Sequence, residues 1–141
     1  MDFSISELSR RTGVKVPTIR YYEQIGLLPP PTRTEGKQRR YEKEATARLT
    51  FIRHARELGF EVEAIRTLLS LQDDPDQSCA AADKIAKARL AEVERRIASL
   101  TALRQELKRM IEECVCGRVA ECRVIETLAD SGHEHSRLAE P

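Results

Sequence analysis

Residues 80–113, AAADKIAKARLAEVERRIASLTALRQELKRMIEE, contain neither Pro nor Gly and are rich in Ala, Leu, Glu, Lys and Arg. Such residues cost little in a helix. Apolar side chains fall at Leu90, Val93, Ile97, Leu100, Leu107 and Ile111, three and four apart for most of the run. That is the a/d seam of a coiled coil, widened by Leu103 and Met110. A helix of this length extends roughly 50 Å at about 1.5 Å per residue. A chain of 141 residues cannot cover so long a seam with its own core. The pattern therefore predicts a second copy lying along it. Arg104 falls on an a position, the placement of a device that fixes register or orientation. Cysteines bracket the helix: Cys79 just before it, then Cys114, Cys116 and Cys122 just after it.

Ahead of this rod the composition changes. All six aromatics (Phe3, Tyr21, Tyr22, Tyr41, Phe51 and Phe60) lie within the first sixty residues. That half has the bulky groups for a compact core. It carries 12 Lys/Arg against 7 Asp/Glu, whereas residues 61–141 carry 12 against 16. Basic charge gathered at one end points to nucleic-acid contact there. No stretch of about 18 apolar residues exists to span a membrane, and Met1-Asp2-Phe3-Ser4 lacks the charged-then-apolar pattern of a signal peptide. These features predict a cytoplasmic protein, in which four cysteines are better suited to metal or redox chemistry than to a disulfide framework.

The first helix is expected to start after Ser4, with Glu7 three residues on as in a capping box, and to end at Gly13. Ile5, Leu8 and Ser9 should line its inner face. Val16-Pro17-Thr18 starts a second helix, with Pro in the first turn where its missing N–H is harmless. It should run through Glu23 and stop near Gly26. Two short helices joined by a Gly-containing turn form a helix-turn-helix pattern. Pro29-Pro30-Pro31 breaks the helical run. Thr32 to Tyr41 then reads as a basic hairpin turning near Glu35-Gly36, which makes it a wing. A third helix over 43–58 should point Ala47, Leu49, Ile52 and Ala55 inward. A fourth over 61–71 should point Val62, Ile65, Leu68 and Leu69 inward. A short helix is expected over 124–129, and from Gly132 onward a polar tail.

On the second helix, Lys15, Thr18, Arg20 and Tyr21 can point outward while Ile19 and Tyr22 pack in. Arg reads guanine edges or phosphates, and Tyr hydroxyls hold phosphates. Arg33, Lys37, Arg39 and Arg40 add basic charge along the hairpin.

These residues resemble a known family. Ile5-Ser6-Glu7-Leu8, Thr12-Gly13-Val14, Thr18-Ile19-Arg20-Tyr21-Tyr22-Glu23, Gly26-Leu27-Leu28 and Arg39-x-Tyr41 are similar to the DNA-binding domain of the MerR family of transcriptional regulators. Phe51-Ile52-Arg53-His54-Ala55-Arg56 and Leu58-Gly59-Phe60 extend the likeness, and the long helix and terminal cysteines carry it to about residue 129. Gln38 departs from the aromatic residue common in the family's wing. The resemblance implies a mainly α fold: a winged helix-turn-helix DNA-binding domain (1–72), a long antiparallel coiled-coil dimerisation helix (79–113), a metal-binding loop with a short helix (114–129) and a flexible tail (130–141). It implies a homodimer on palindromic double-stranded promoter DNA, working with RNA polymerase. Lys15, Thr18, Arg20 and Tyr21 would meet the major groove and nearby phosphates, Arg39 and Arg40 would act from the wing, and Arg53 and His54 would hold the DNA backbone.

Cys114 and Cys122 have seven residues between them, Gly117 included. A tight loop can fold both sulfurs onto one soft ion such as Cu(I), Zn, Cd, Hg or Pb. Redox sensing is the rival use of such thiols. The resemblance makes Cys114 and Cys122 the core ligand pair and brings Cys79 from the partner subunit beside them. Members sensing monovalent ions tend to carry Ser at that place. Cys79 therefore implies a divalent soft ion (Zn, Cd, Pb or Hg), while the seven-residue gap resembles the Cu(I) sensors. Cys116 is a possible further ligand, and His133 and His135 offer nitrogen ligands in the tail. The implied function is activation of metal efflux or detoxification genes by distorting operator DNA. No acid/base pair, nucleophile arrangement or phosphate loop suggests an enzyme, and a purely structural zinc protein is the remaining rival.

Overall fold

The computed structural model of the chain describes residues 2–33, 39–114 and 117–135, without the side chains of Thr32, Arg33 and Arg39. It is mainly α, in two compact units, Met1–Ala86 and Lys87–Pro141.

In the N-terminal unit, α1 spans Ile5–Thr12 and α2 spans Val16–Gln24. The Glu7 amide donates to Ser4 Oγ at 3.2 Å, so the expected N-cap is present. Gly13 closes α1 with φ +74°, a left-handed conformation suited to glycine, and its N–H donates to the Ser9 carbonyl at 2.8 Å. The turn is fixed by side chains as well. The Ser9 hydroxyl donates to the Val14 carbonyl at 2.6 Å, and the buried Thr12 hydroxyl donates to the Leu8 carbonyl at 2.8 Å. These bonds set the approach of α2 to α1.

Strands β1 (Thr32–Arg33) and β2 (Arg39–Arg40) pair antiparallel, Thr32 opposite Arg40 and Arg33 opposite Arg39. The expected turn at Glu35-Gly36 lies outside the described residues. An isolated bridge pairs Phe3 with Tyr41, tying the N-terminus to the base of this hairpin. Helices α3 (Lys43–Glu57) and α4 (Val62–Gln72) follow.

The core is one cluster drawn from α1 to α4, the turns on either side of α2 and Tyr41 just after β2: Leu8, Val14, Ile19, Tyr22, Leu27, Leu28, Tyr41, Leu49, Ile52, Ala55, Ile65 and Leu69. Ala47 does not join it; Ala47 is exposed, and Ala45 packs against the cluster instead. Alanine is compatible with either face of a helix, so its inward placement was the weakest part of the α3 pattern. Two arginines hold the turn after α2. Arg66 of α4 donates to the Ile25 carbonyl at 2.8 Å, and Arg48 of α3 donates to the Leu27 carbonyl at 2.9 Å.

Helix α5 runs from Ala80 to Glu113. Within the C-terminal unit its seam residues Leu90, Ile97, Leu100, Leu107 and Ile111 are each more than half exposed. Met110 is buried, at the end where α6 (Arg123–Ala129) and the following turn return against α5. Arg123 pairs with Glu113 at 3.1 Å, and His133 Nε2 lies 2.7 Å from Glu106 Oε1. The tail is thus docked at its first residues. Among the described residues, no helix is long and apolar enough to cross a membrane.

Candidate nucleic-acid interface and metal loop

Helix α2 separates its residues by face as its pattern predicts. Ile19 and Tyr22 are buried, Lys15, Arg20 and Tyr21 are exposed, and Thr18 is half-buried. Tyr21 keeps 49% of its surface open. Lys15 is the N-cap of α2, and its side chain makes no capping bond.

Beside this helix start lies an open cleft of about 470 Å³, lined by Gly13, Val14, Lys15, Thr18, Tyr22, Arg53, Arg56 and Glu57. It brings Arg53 of α3 to the same recess as Lys15 and Thr18. Glu57 holds the Arg53 guanidinium at 3.3 Å, while the buried Arg53 Nε has no hydrogen-bond partner among the described residues. Arg56, three residues from Arg53 on the same helix, joins this cleft and is not among the DNA contacts the sequence predicts.

The other expected DNA contacts are spread more widely. His54 is exposed on α3 and is not among the residues lining that recess. Arg40 is half-buried and lines a separate cleft with Pro29, Pro30, Pro31 and Tyr41. The Arg39 backbone sits in β2, and its side chain lies outside the described residues.

In the C-terminal unit, the Cys114 amide donates to the Ile111 carbonyl at 3.2 Å, the last bond of α5 before the chain turns away. A single 3-10 turn at Val119–Glu121 leads back, and Cys122 begins α6 as its N-cap. The Cys114 and Cys122 sulfurs meet at 3.9 Å, and both are half-buried. No amide makes a geometric capping bond to the Cys122 sulfur. Its pKa is nonetheless lowered. The largest cause is the Ile125 amide at the helix start, which favours the thiolate. Burial opposes it, and the Val124 amide and the Cys114 thiol reinforce it.

Cys116 lies outside the described residues. Cys79 is exposed in the N-terminal unit, where its carbonyl accepts the Asp83 amide at 2.9 Å in the first turn of α5. The His133 imidazole faces Glu106, which also binds Arg109 at 3.1 Å, and the His135 ring centroid stands 5.6 Å from that of His133. Among the described residues no group of three His, Cys, Asp or Glu side chains is close enough to hold one metal ion. Among the described residues, the thiols brought together are the pair Cys114 and Cys122.

Comparison with known proteins now bears on both features. Residues 3–72 match the MerR HTH family regulatory proteins, and residues 46–110 match the family described as MerR, DNA binding. The HTH-type transcriptional regulator ZntR of Escherichia coli strain K12 is 42% identical over 130 residues, covering 89% of this chain and 92% of that protein. Heavy metal-dependent transcription regulator 2 of Rhizobium meliloti strain 1021 is 36% identical over 138 residues, covering 98% and 94%. Among solved structures, the transcription regulator PbrR691 from Ralstonia metallidurans CH34 in complex with lead(II) superposes with a TM-score of 0.79 at 36% identity, covering 90% of this chain and 99% of that one. Read with the helix-turn-helix unit and the paired thiols, these matches show that the chain belongs to the MerR family of helix-turn-helix transcriptional regulators, in its metal-sensing branch.

Proposed function

We propose that the chain is a homodimeric, metal-responsive activator that senses a divalent soft ion and deforms promoter DNA. The observation that carries this reading is the 3.9 Å approach of Cys114 and Cys122. Two thiols this close can both turn onto one soft ion. Cys114 and Cys122 would be joined by Cys79 of the partner subunit as a third thiolate, with Cys116 as a further candidate. Zn, Cd, Pb and Hg are ions of suitable softness.

When bound, the ion supplies a bond between two chains. The remaining work belongs to the protein. Pairing along the exposed α5 seam sets two reader units on a palindrome, with RNA polymerase bound at the same promoter. Lys15, Thr18, Arg20 and Tyr21 enter the major groove. Arg53 and His54 take phosphates, and Arg39 and Arg40 act from the wing. Drawing the loop toward the partner's α5 start changes the angle between the two readers, and the duplex bends with them. Bending of this kind costs on the order of 1–6 kcal/mol. The ion must therefore favour the bent arrangement by a comparable amount.

A second reading, a Cu(I) sensor, is favoured by the approach of Cys114 to Cys122, because two thiolates suffice for a monovalent soft ion. One experiment separates them. The purified dimer, on DNA upstream of its own gene, is titrated with Zn(II), Cd(II), Pb(II), Hg(II) and Cu(I) in reducing buffer, and transcription is measured. The divalent reading expects activation by a divalent ion that Cys79→Ser abolishes. Activation by Cu(I) that survives Cys79→Ser supports the second reading. Activation by oxidant alone, in metal-free buffer, overturns both in favour of thiol redox.

A further inference from the structure

We propose that Arg48 is a positioning residue that transmits movement of the α4–α5 junction to the reader helix. The inference rests on the metal-responsive reading above and names the internal route by which the N-terminal unit answers.

A guanidinium carries donors along different edges of one rigid plane. Arg48 uses two of them on two different elements. Its Nε donates to the Leu27 carbonyl at 2.9 Å, and its Nη1 reaches both carboxylate oxygens of Asp73, at 3.2 and 3.3 Å. The Arg48 side chain and its bond to Leu27 are partly buried, whereas the Asp73 carboxylate is 59% exposed.

Each end of this bridge leads to a functional element. The amides of Leu27 and Leu28 both donate to the Tyr22 carbonyl, at 2.9 and 3.2 Å. A shift of Leu27 is therefore a shift of the last turn of α2, next to Tyr21. At the other end, Asp73 caps α4 and stands six residues before Cys79. The connecting segment is closed by its own bonds: Asp74 to the Leu71 carbonyl and Gln77 to the Asp74 carbonyl, both at 3.1 Å, and Ala80 to Ser78 Oγ at 3.2 Å. Displacement of Cys79 moves such a segment as a piece.

Arg66 provides the fixed point. It ties the Ile25 carbonyl to the body of α4 at 2.8 Å, two residues from the carbonyl that Arg48 holds. One end of the turn after α2 is thus pinned to α4 itself, and the other is pinned through Arg48 to the end of α4. Movement of Asp73 relative to Ile25 rotates the turn, and α2 with it.

The test uses the full-length dimer with Arg48→Gln, Arg48→Lys and Asp73→Asn. Operator affinity without metal is measured, together with Cd(II) binding followed by thiolate charge-transfer absorption, and the ratio of Cd(II)-induced to basal transcription. Each variant should keep both affinities near the parent's and lose at least about fivefold of the induction ratio, the lower end of ordinary allosteric couplings. Lysine keeps the charge beside Asp73 but cannot serve both acceptors with a planar fork, so it should not rescue. Arg48→Gln combined with Asp73→Asn should lose no more than either alone. A parent that responds to metal while Arg48→Lys or Asp73→Asn responds equally overturns the inference and leaves the sensor reading intact. Poor folding of Arg48→Gln leaves these two variants to decide. A parent that answers no ion overturns the sensor reading, and this inference with it.

Discussion

The sulfurs of Cys114 and Cys122 lie 3.9 Å apart, and Cys122 occupies the N-cap position of α6. The Ile125 amide is the main reason that Cys122 titrates below an ordinary thiol, with burial working against it. The folded value is therefore below the unfolded one. The resulting stabilisation is present above the unfolded pKa and is lost as pH falls through the folded pKa. In the metal-free folded chain, iodoacetamide should reach half-maximal alkylation rate at Cys122 at a lower pH than in the urea-unfolded chain. Equal midpoints in the two states would remove the helix start from the account of thiol reactivity.

The Tyr41 hydroxyl donates to Glu23 Oε1 at 2.5 Å, joining the base of the wing to the reader helix. Tyr41 is almost fully buried, and its backbone also exchanges two bonds with Phe3, at 2.7 and 2.8 Å. Tyr41→Phe keeps the ring in the core and removes only the hydroxyl. A hydrogen bond to a charged acceptor contributes about 1.5–3 kcal/mol. Chemical denaturation should show a loss in that range at unchanged m-value, with weaker operator binding from a less firmly held wing. An unaltered midpoint would mean that Glu23 finds equal satisfaction elsewhere.

Much of this fold could be read along the chain because its signals are local. Ser4, Gly13 and Pro17 mark helix ends through bonds within a few residues, and the observed boundaries follow them. The split of Ile19 and Tyr22 from Arg20 and Tyr21 follows from helical period alone. The clamps made by Arg48 and Arg66 were not readable. They span 21 and 41 residues, and nothing near an arginine says which distant carbonyl it will meet. The docking of His133 on Glu106 was hidden for the same reason. The thiol pair was readable as a pair, because a short loop limits where its ends can go.

The exposed seam on α5 separates folding from association. Leu100 and Leu107 are 53% and 57% exposed in the single chain, so charging them removes little from its own core. Leu100→Lys with Leu107→Lys should give a monomer by analytical ultracentrifugation at concentrations where the parent is a dimer. Buried lysines in a pairing seam carry a large desolvation cost. The thermal transition of the N-terminal unit should persist, since its core of Leu8, Ile19, Leu49 and Ile65 is untouched. A doubly charged variant that stays dimeric would place the partner on another face.

The cleft between α2 and α3 predicts two distinguishable losses in DNA binding. Arg53 sits in a recess with Lys15 and Thr18, so a phosphate seated there would meet three donors. Phosphate contacts act through counterion release and carry no sequence information. Arg53→Gln should therefore weaken specific and non-specific DNA alike and flatten the plot of log affinity against log salt by about one unit of slope. Arg20 is exposed on the outer face of α2, where a side chain can reach base edges. Arg20→Gln should cost about 1–3 kcal/mol on the operator and relax preference at one base pair in each half-site. Fluorescence anisotropy on operator and scrambled duplexes, across a salt series, reads both effects. If Arg53→Gln instead changes base preference at constant salt slope, the cleft holds a base edge and the roles of the two helices must be exchanged.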